Sequence, residues 1–241
     1  MTDDDAPRYL QIARELKAAI ADGRYPVGAK LPTEAELCTQ FDISRFTARE
    51  AVRVLAVGGL VTRRQRVGTV VIALPDDARY SYDASSVRDL LQYAKETELR
   101  FAFVGRVPLS KAQARELGAE AGKEWVYAMG LRVVDGETRP ICVTRLLLNP
   151  LLKDIESKLR GRKGAVYALI EVEYGIGIER VEQELQAVLL DTDDAANLGA
   201  PAGSPALRVL RRYYDAKGRL LEFAENVHPA DRFSYRMQLR K

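Results

Sequence analysis

This chain of 241 residues is poor in the side chains that build reactive or metal centres. It carries two cysteines, Cys38 and Cys142, far apart in the sequence. Each falls in a different half, so both are expected to be reduced and buried, with neither disulfide nor metal role. A single histidine, His228, leaves histidine-based triads and metal clusters little to work with. No activated nucleophile, metal-ligand spacing or glycine-rich phosphate loop is visible, so neither enzyme activity nor a cofactor is expected. No apolar run approaches the ~18 residues of a membrane span. The first residues, Met1-Thr2-Asp3-Asp4-Asp5, are acidic and lack the apolar core of a signal peptide. The expected setting is the cytoplasm and its nucleoid, with no membrane partner.

What is present is ordinary globular composition, 47% hydrophobic and 29% charged, with one strong local bias. From Arg45 to Val71 there are six arginines and one acid, Glu50, although the whole chain carries only +3. Ser44 is a good helix N-cap. Behind it Arg45, Arg49 and Arg53 recur every four residues and share one helical arc of about 80°. Ala48, Ala51, Val52 and Leu55 fill the neighbouring arc, and Gly58-Gly59 stops the helix. Arginine suits bidentate contact with guanine in the major groove, while Phe46 and Thr47 can meet thymine methyls or phosphates. Upstream, Thr33 caps a helix over Glu34–Gln40, and a turn at 41–43 follows. Downstream, strands at 60–62 and 69–71 flank Arg63-Arg64-Gln65-Arg66-Val67-Gly68. The helix over residues 7–22, with Tyr9, Ile12, Ala13, Leu16 and Ile20 in register, supplies a core face. Arg8 at its start is placed to touch a phosphate. Helix, turn, cationic helix and basic hairpin together outline a winged helix-turn-helix and point to duplex DNA.

Residues 7 to 72 resemble the N-terminal domain of the GntR family of bacterial transcriptional regulators. The resemblance is carried by IADGRYPVGAKLPTE, by Ser44, Arg45, Thr47 and Arg49, by GGLV, and by Gly68-Thr69. It implies DNA contacts from Thr33, Ser44, Arg45, Thr47 and Arg49, and a wing tip at Gly68 that approaches the minor groove. Arg53, Arg64 and Arg66 join this set from the charge pattern. Ala35 stands where the family often has arginine, and Arg66 where its wing usually has glycine. Both departures bear on operator sequence.

The polar stretch after the wing reads as a linker, residues 73–84, between a DNA-binding domain at 1–72 and a second domain at 85–241. The second domain contains a repeat. Leu117-Gly118-Ala119-Glu120-Ala121-Gly122 returns as Leu198-Gly199-Ala200-Pro201-Ala202-Gly203, offset by 81 positions. Each copy follows a short helix, at 112–117 and 193–198. Each precedes a hairpin, 125–134 turning at Asp135-Gly136 into 141–148, and 207–214 turning at 215–218 into 220–227. Between the copies lie a helix at 165–174 and an alternating strand at 179–190. The expected fold class is α+β: a winged helix-turn-helix and then a duplicated antiparallel sheet with helices on a face.

Residues 86–241 resemble the effector-binding UTRA domain of the HutC subfamily, which has a chorismate-lyase-like fold. The resemblance rests on VEQELQAVLL and on the tail from Leu198 to Leu239. It implies a small-molecule pocket beside the sheet, and dimer formation. Arg132, Tyr167 and Glu222 match positions that bind phosphorylated or acidic ligands. Thr144, Ala165 and His228 depart from the sugar-binding pattern; Thr144 and His228 are marked with the others as pocket residues. The expected protein is a homodimeric repressor that reads a pseudo-palindromic operator and answers a small, anionic effector. Alternatives are a regulator with a degenerate, ligand-free pocket, and a lyase-like enzyme.

Overall fold

The structure, a computed structural model, describes residues 7–75, 80–83, 97–134, 139–159 and 165–237. It divides into two compact units, Met1–Asp83 together with Asp231–Lys241, and Ala84–Ala230. The acidic start and the Asp135-Gly136 turn lie outside the described residues.

In the first unit α1 (Arg8–Ala21), α2 (Glu34–Phe41) and α3 (Arg45–Val57) enclose an apolar core. Ile12, Leu16 and Ile20 from α1 meet Leu37 from α2 and Ala48, Ala51, Val52 and Leu55 from α3. The caps explain the boundaries. Thr33 and Glu36 form a reciprocal capping box on α2, and the Ser44 hydroxyl accepts from the Thr47 N–H on α3. Between them Asp42 closes α2 in the left-handed region, with φ 51°, which makes the turn tight.

The wing is an antiparallel pair, β1 (Val61–Arg64) and β2 (Gly68–Val71), closed where Arg64 faces Gly68. Its tip holds Arg66 at φ 64°, a left-handed conformation that costs an arginine roughly 1 kcal/mol relative to glycine. The segment read as a linker ends in a strand, β3 (Tyr80–Asp83). It pairs in parallel with β10 (Phe233–Arg236) near the end of the chain. Such a pairing joins segments about 150 residues apart, which no local pattern announces.

The second unit is built on one antiparallel sheet in the order β4-β5-β6-β9-β8-β7. Its strands are β4 (Thr97–Pro108), β5 (Glu124–Val134), β6 (Cys142–Leu148), β7 (Arg180–Leu189), β8 (Pro205–Tyr214) and β9 (Leu220–Pro229). The repeat holds down to individual hydrogen bonds. Ala119 N–H donates to Ala114 O, as Ala200 does to Ala195. Gly122 donates to Leu109 O as Gly203 does to Leu190, and Lys123 to Glu120 O as Ser204 does to Pro201. Each loop thereby caps its helix, α4 (Lys111–Leu117) or α7 (Thr192–Leu198), and launches the next strand. Pairing of β6 with β9 joins the two hairpins.

Both repeat helices cover one face. Leu117 of α4 packs with Trp125, Leu147, Leu210 and Phe223; Leu198 of α7 packs with Val143, Ala206 and Val227. After a short helix α5 (Ile155–Leu159), α6 (Val166–Tyr174) places Val166 and Tyr167 on the other face. Edge strand β4, whose burial alternates poorly, was not expected from the sequence.

At Gly130 of β5 the β4 backbone comes very close. A Cβ there would sit 2.5 Å from the Arg100 carbonyl oxygen, beside the bulge at Phe101/Phe103. Gly130→Ala is expected to destabilise the sheet by about 1–3 kcal/mol through overpacking against backbone. Thermal melting of the variant, compared with Gly105→Ala, where the neighbour is only the Phe103 ring, checks it.

Candidate functional site

Two constellations stand out, one in each unit. The first is the outer face of α3 with the wing. Arg45 and Arg49 are exposed, and Phe46 is 72% exposed at the N-terminal end of the helix. Arg64, Arg66 and Gly68 are exposed on the wing. Among the described residues Arg45, Arg64 and Arg66 engage no carboxylate. Arg53 is half-buried and held by Glu50 at 2.9 Å. Arg8 is exposed and donates to Gln11 Oε1 at 2.9 Å.

Of the hydroxyls expected to meet DNA, those of Thr33 and Ser44 also cap helices. Thr33 Oγ1 donates to Glu36 Oε2 (2.9 Å) while accepting from Glu36 N–H (3.3 Å). The backbone N–H and hydroxyl of Thr33 hold the Glu36 carboxyl below its ordinary range. Ser44 Oγ lies 2.9 Å from Thr47 Oγ1, so these two hydroxyls share one proton direction. Each presents a fixed oxygen beside a helix N-terminus, where backbone N–H groups favour a phosphate.

One residue ties this face together and was not singled out from the sequence. Glu34, in the first turn of α2, contacts Arg49 of α3 through Oε2 at 3.5 Å and Arg63 of β1 through Oε1. Its carboxylate holds two cations of the exposed face. Arg63 belongs to the same set, and only its charge made it visible beforehand.

The second constellation is a small cavity of about 40 Å³ on the α6 face of the sheet. Arg132, Thr144, Tyr167 and Glu222, all marked in the sequence, line it. The structure adds Arg211, Tyr213 and Asn226. Arg132 donates to Thr97 Oγ1 (2.8 Å), Arg211 to Gln183 Oε1 (2.6 Å) and Thr144 to Asn226 Oδ1 (2.9 Å). Tyr167 stacks on Tyr213 with centroids 5.2 Å apart. The cavity lies at a pseudo-dyad of the sheet, because Thr144 pairs with Asn226 and Leu146 with Ala224. Two strands expected to be equivalent thus meet there, and Arg132 and Tyr213 occupy corresponding positions 81 residues apart.

Electrostatics make this an unusual interior. Arg132, Arg211 and Glu222 are all buried. Glu222 Oε2 has no hydrogen-bond partner among the described residues. Burial pushes its carboxyl up to about 8, against the pull of Arg211 and Arg132. The cavity therefore offers two fixed positive charges beside a carboxyl that stays largely protonated at neutral pH. An anion is the complement. His228 does not line the cavity. Its Nδ1 lies 3.1 Å from Ile141 O, and burial, with Arg211 nearby, lowers it to about 3. It is a neutral ring in the sheet interior.

No described helix is long and apolar enough to cross a membrane, and the described residues hold no cluster of three or more metal-ligating side chains. Cys38 and Cys142 are free thiols, and Cys142 is buried with its thiol pushed up to about 11.

A profile of bacterial regulatory proteins, gntR family, matches residues 8–71, and one of UTRA domains matches 92–234. The chain is 29% identical to the HTH-type transcriptional repressor NagR of Bacillus subtilis, over 95% of this chain and 93% of that protein. It is 28% identical to the probable transcriptional regulator PhnF of Escherichia coli, over 96% and 95%. The crystal structure of PhnF from Mycobacterium smegmatis superposes with a TM-score of 0.60 at 23% identity, covering 95% of this chain and 99% of that one.

Replacing Glu34 with Gln is expected to release Arg49 and Arg63. Affinity for random duplex DNA should rise. The plot of log K against log salt should steepen by about one per freed arginine, because each then displaces a cation condensed on the DNA. Salt-titrated fluorescence anisotropy measures both; an unchanged slope would sink the assignment.

Proposed function

We propose, on the premise that this chain belongs to the gntR family of bacterial regulatory proteins and carries a UTRA domain, a specific division of labour within this ligand-responsive, DNA-binding transcriptional regulator. The observation that carries the reading is the joining, in one chain, of an exposed arginine face to a buried two-arginine cavity. In this reading Arg45 and Arg49 enter the major groove and read guanine edges, with Phe46 against thymine methyls. Thr33, Ser44 and Thr47 fix the register on phosphates, with Arg8 and Arg53 at the margin. Arg64, Arg66 and Gly68 carry the wing towards the adjacent groove.

A homodimer presents two such heads to a pseudo-palindrome with half-sites about one helical turn apart. Exposed Leu185 and Leu189 on edge strand β7 supply apolar surface suited to self-association. The protein acts as a repressor in the cytoplasm, on the nucleoid. Repression, not chemistry, fits a chain whose relatives are named transcriptional regulators.

The effector is a metabolite bearing a compact anionic group. A cavity of about 40 Å³ admits roughly three water-sized spheres, enough for one oxyanion and far less than a whole metabolite. In the proposed complex Arg132 and Arg211 clamp the anion and Tyr167 closes over it. Glu222 and the Thr144–Asn226 pair meet its neutral polar groups. Seating a larger body requires α6 to move, and that movement supplies the differential affinity that effector control demands.

Arg49→Ala is expected to lower operator affinity about 5- to 150-fold (~1–3 kcal/mol) and to relax specificity while leaving dimerisation intact. Gel shifts with operator and scrambled duplex report it, and unchanged operator binding contradicts the reading. Arg132→Ala and Arg211→Met are each expected to blunt the effector response without changing ligand-free DNA binding. Thermal shift against phosphorylated and carboxylated metabolites, followed by induction curves, tests this; an induction curve identical to the parent removes the residue from the pocket.

A further inference from the structure

We infer that the open end of the first helix-and-hairpin unit is a second ligand site, built for a small organic acid. A cleft of about 780 Å³ lies between the last turn of α4, the start of β5, the residues after β6 and the β8–β9 turn. It shares no lining residue with the cavity around Arg132. Its size falls within the range of small-molecule pockets.

Three features of its lining point to an acid. Trp125 is 3% exposed, and its indole N–H has no acceptor among the described residues. A buried N–H is ordinarily paired, so the ring calls for an acceptor from outside the chain. Arg115 and Lys123 stand exposed at the rim and engage no carboxylate among the described residues. The other charges are mostly satisfied internally: Glu116 is held by Arg212 at 3.0 Å, and Arg219 donates to Asp215 at 2.7 Å. Glu120 is the one further acid of the rim, which leaves the unpaired charge net positive. Leu117, Pro150 and Leu220 supply apolar wall for the body of the ligand.

The internal repeat serves as a control for what the fold itself requires. The second unit reproduces the same loop hydrogen bonds with Ala196, Ser204 and Ala206 at the positions of Arg115, Lys123 and Trp125. Neither the two cations nor the indole is therefore needed to cap the helix or launch the strand. They are additions to the first unit alone, and all three line the same cleft. In the bound state the carboxylate sits at Arg115 and Lys123 and, once the rim parts to reach the indole N–H that is closed to solvent in the free protein, accepts from it, while the apolar body rests on Leu117 and Leu220.

Trp125 is the only tryptophan in the chain, so its emission reports this site directly. Benzoate is the probe, titrated into the full-length protein to millimolar concentration, with benzyl alcohol as the uncharged control. A saturable change with benzoate and none with benzyl alcohol is expected. Affinity should fall at least tenfold in the variant carrying Arg115→Ala and Lys123→Ser, the residues the second unit uses without loss of structure. Circular dichroism confirms that this variant folds. The response should persist in Arg132→Ala, which separates this site from the effector cavity. No saturable change, an equal response to benzyl alcohol, an undiminished response in the double variant, or loss of the response in Arg132→Ala would each overturn the assignment.

Discussion

The pairing of β6 with β9 is the constraint on which the sensor unit depends. It fuses two helix-and-hairpin halves into one sheet, and opposite each other at its centre stand Arg145 and Glu225. On the helix-covered face Arg145 bonds Asp194 of α7 and Glu225 (3.3 Å), while Arg208 reaches Glu225 at 3.1 Å. On the opposite face the same two strands bring Thr144, Leu146, Ala224 and Asn226 to the cavity. Side chains alternate across a strand, so one register decides both surfaces; a slip of one residue would exchange the ion network for the pocket.

The two halves of the sheet share one frame and differ in the side chains they place on it. Where the first half has Gly130, kept free of a side chain by the approach of β4, the second carries Arg211, a wall of the cavity. Where the first has Arg132, the second has Tyr213. The cavity is asymmetric although its scaffold is not, as suits a ligand without two-fold symmetry. The buried charges are expensive to keep out of water, and Glu222 answers by holding its proton.

In the DNA-binding unit the corresponding theme is a cation face kept in order before DNA arrives. Glu34 gathers Arg49 and Arg63, the hydroxyls of Thr33 and Ser44 are fixed by the helices they cap, and the Thr47 hydroxyl is held by Ser44. The wing tip goes the other way. Arg66 holds a left-handed backbone there, a conformation that ordinarily favours glycine.

What the sequence determined by itself was local. Caps at Thr33 and Ser44, the four-residue arginine spacing, the glycine stops and the two copies of the Leu-Gly-Ala loop act within a few residues, so they are readable from the chain alone. They carried the three helices, the wing, both hairpins and the family resemblance, and through it Arg132, Thr144, Tyr167 and Glu222. Tertiary structure decided whatever depends on partners distant in the chain. That includes the β3–β10 pairing, the edge strand β4 and the carboxylate of Glu34 between two arginines. It also decided which arginine of Leu207–Tyr214 turns inward. Arg208 and Arg212 face the helices while Arg211 faces the cavity, and only the sheet register with β9 distinguishes them. His228 was placed the same way, since nothing in its own neighbourhood says that Ile141, 87 residues away, waits to hold its ring.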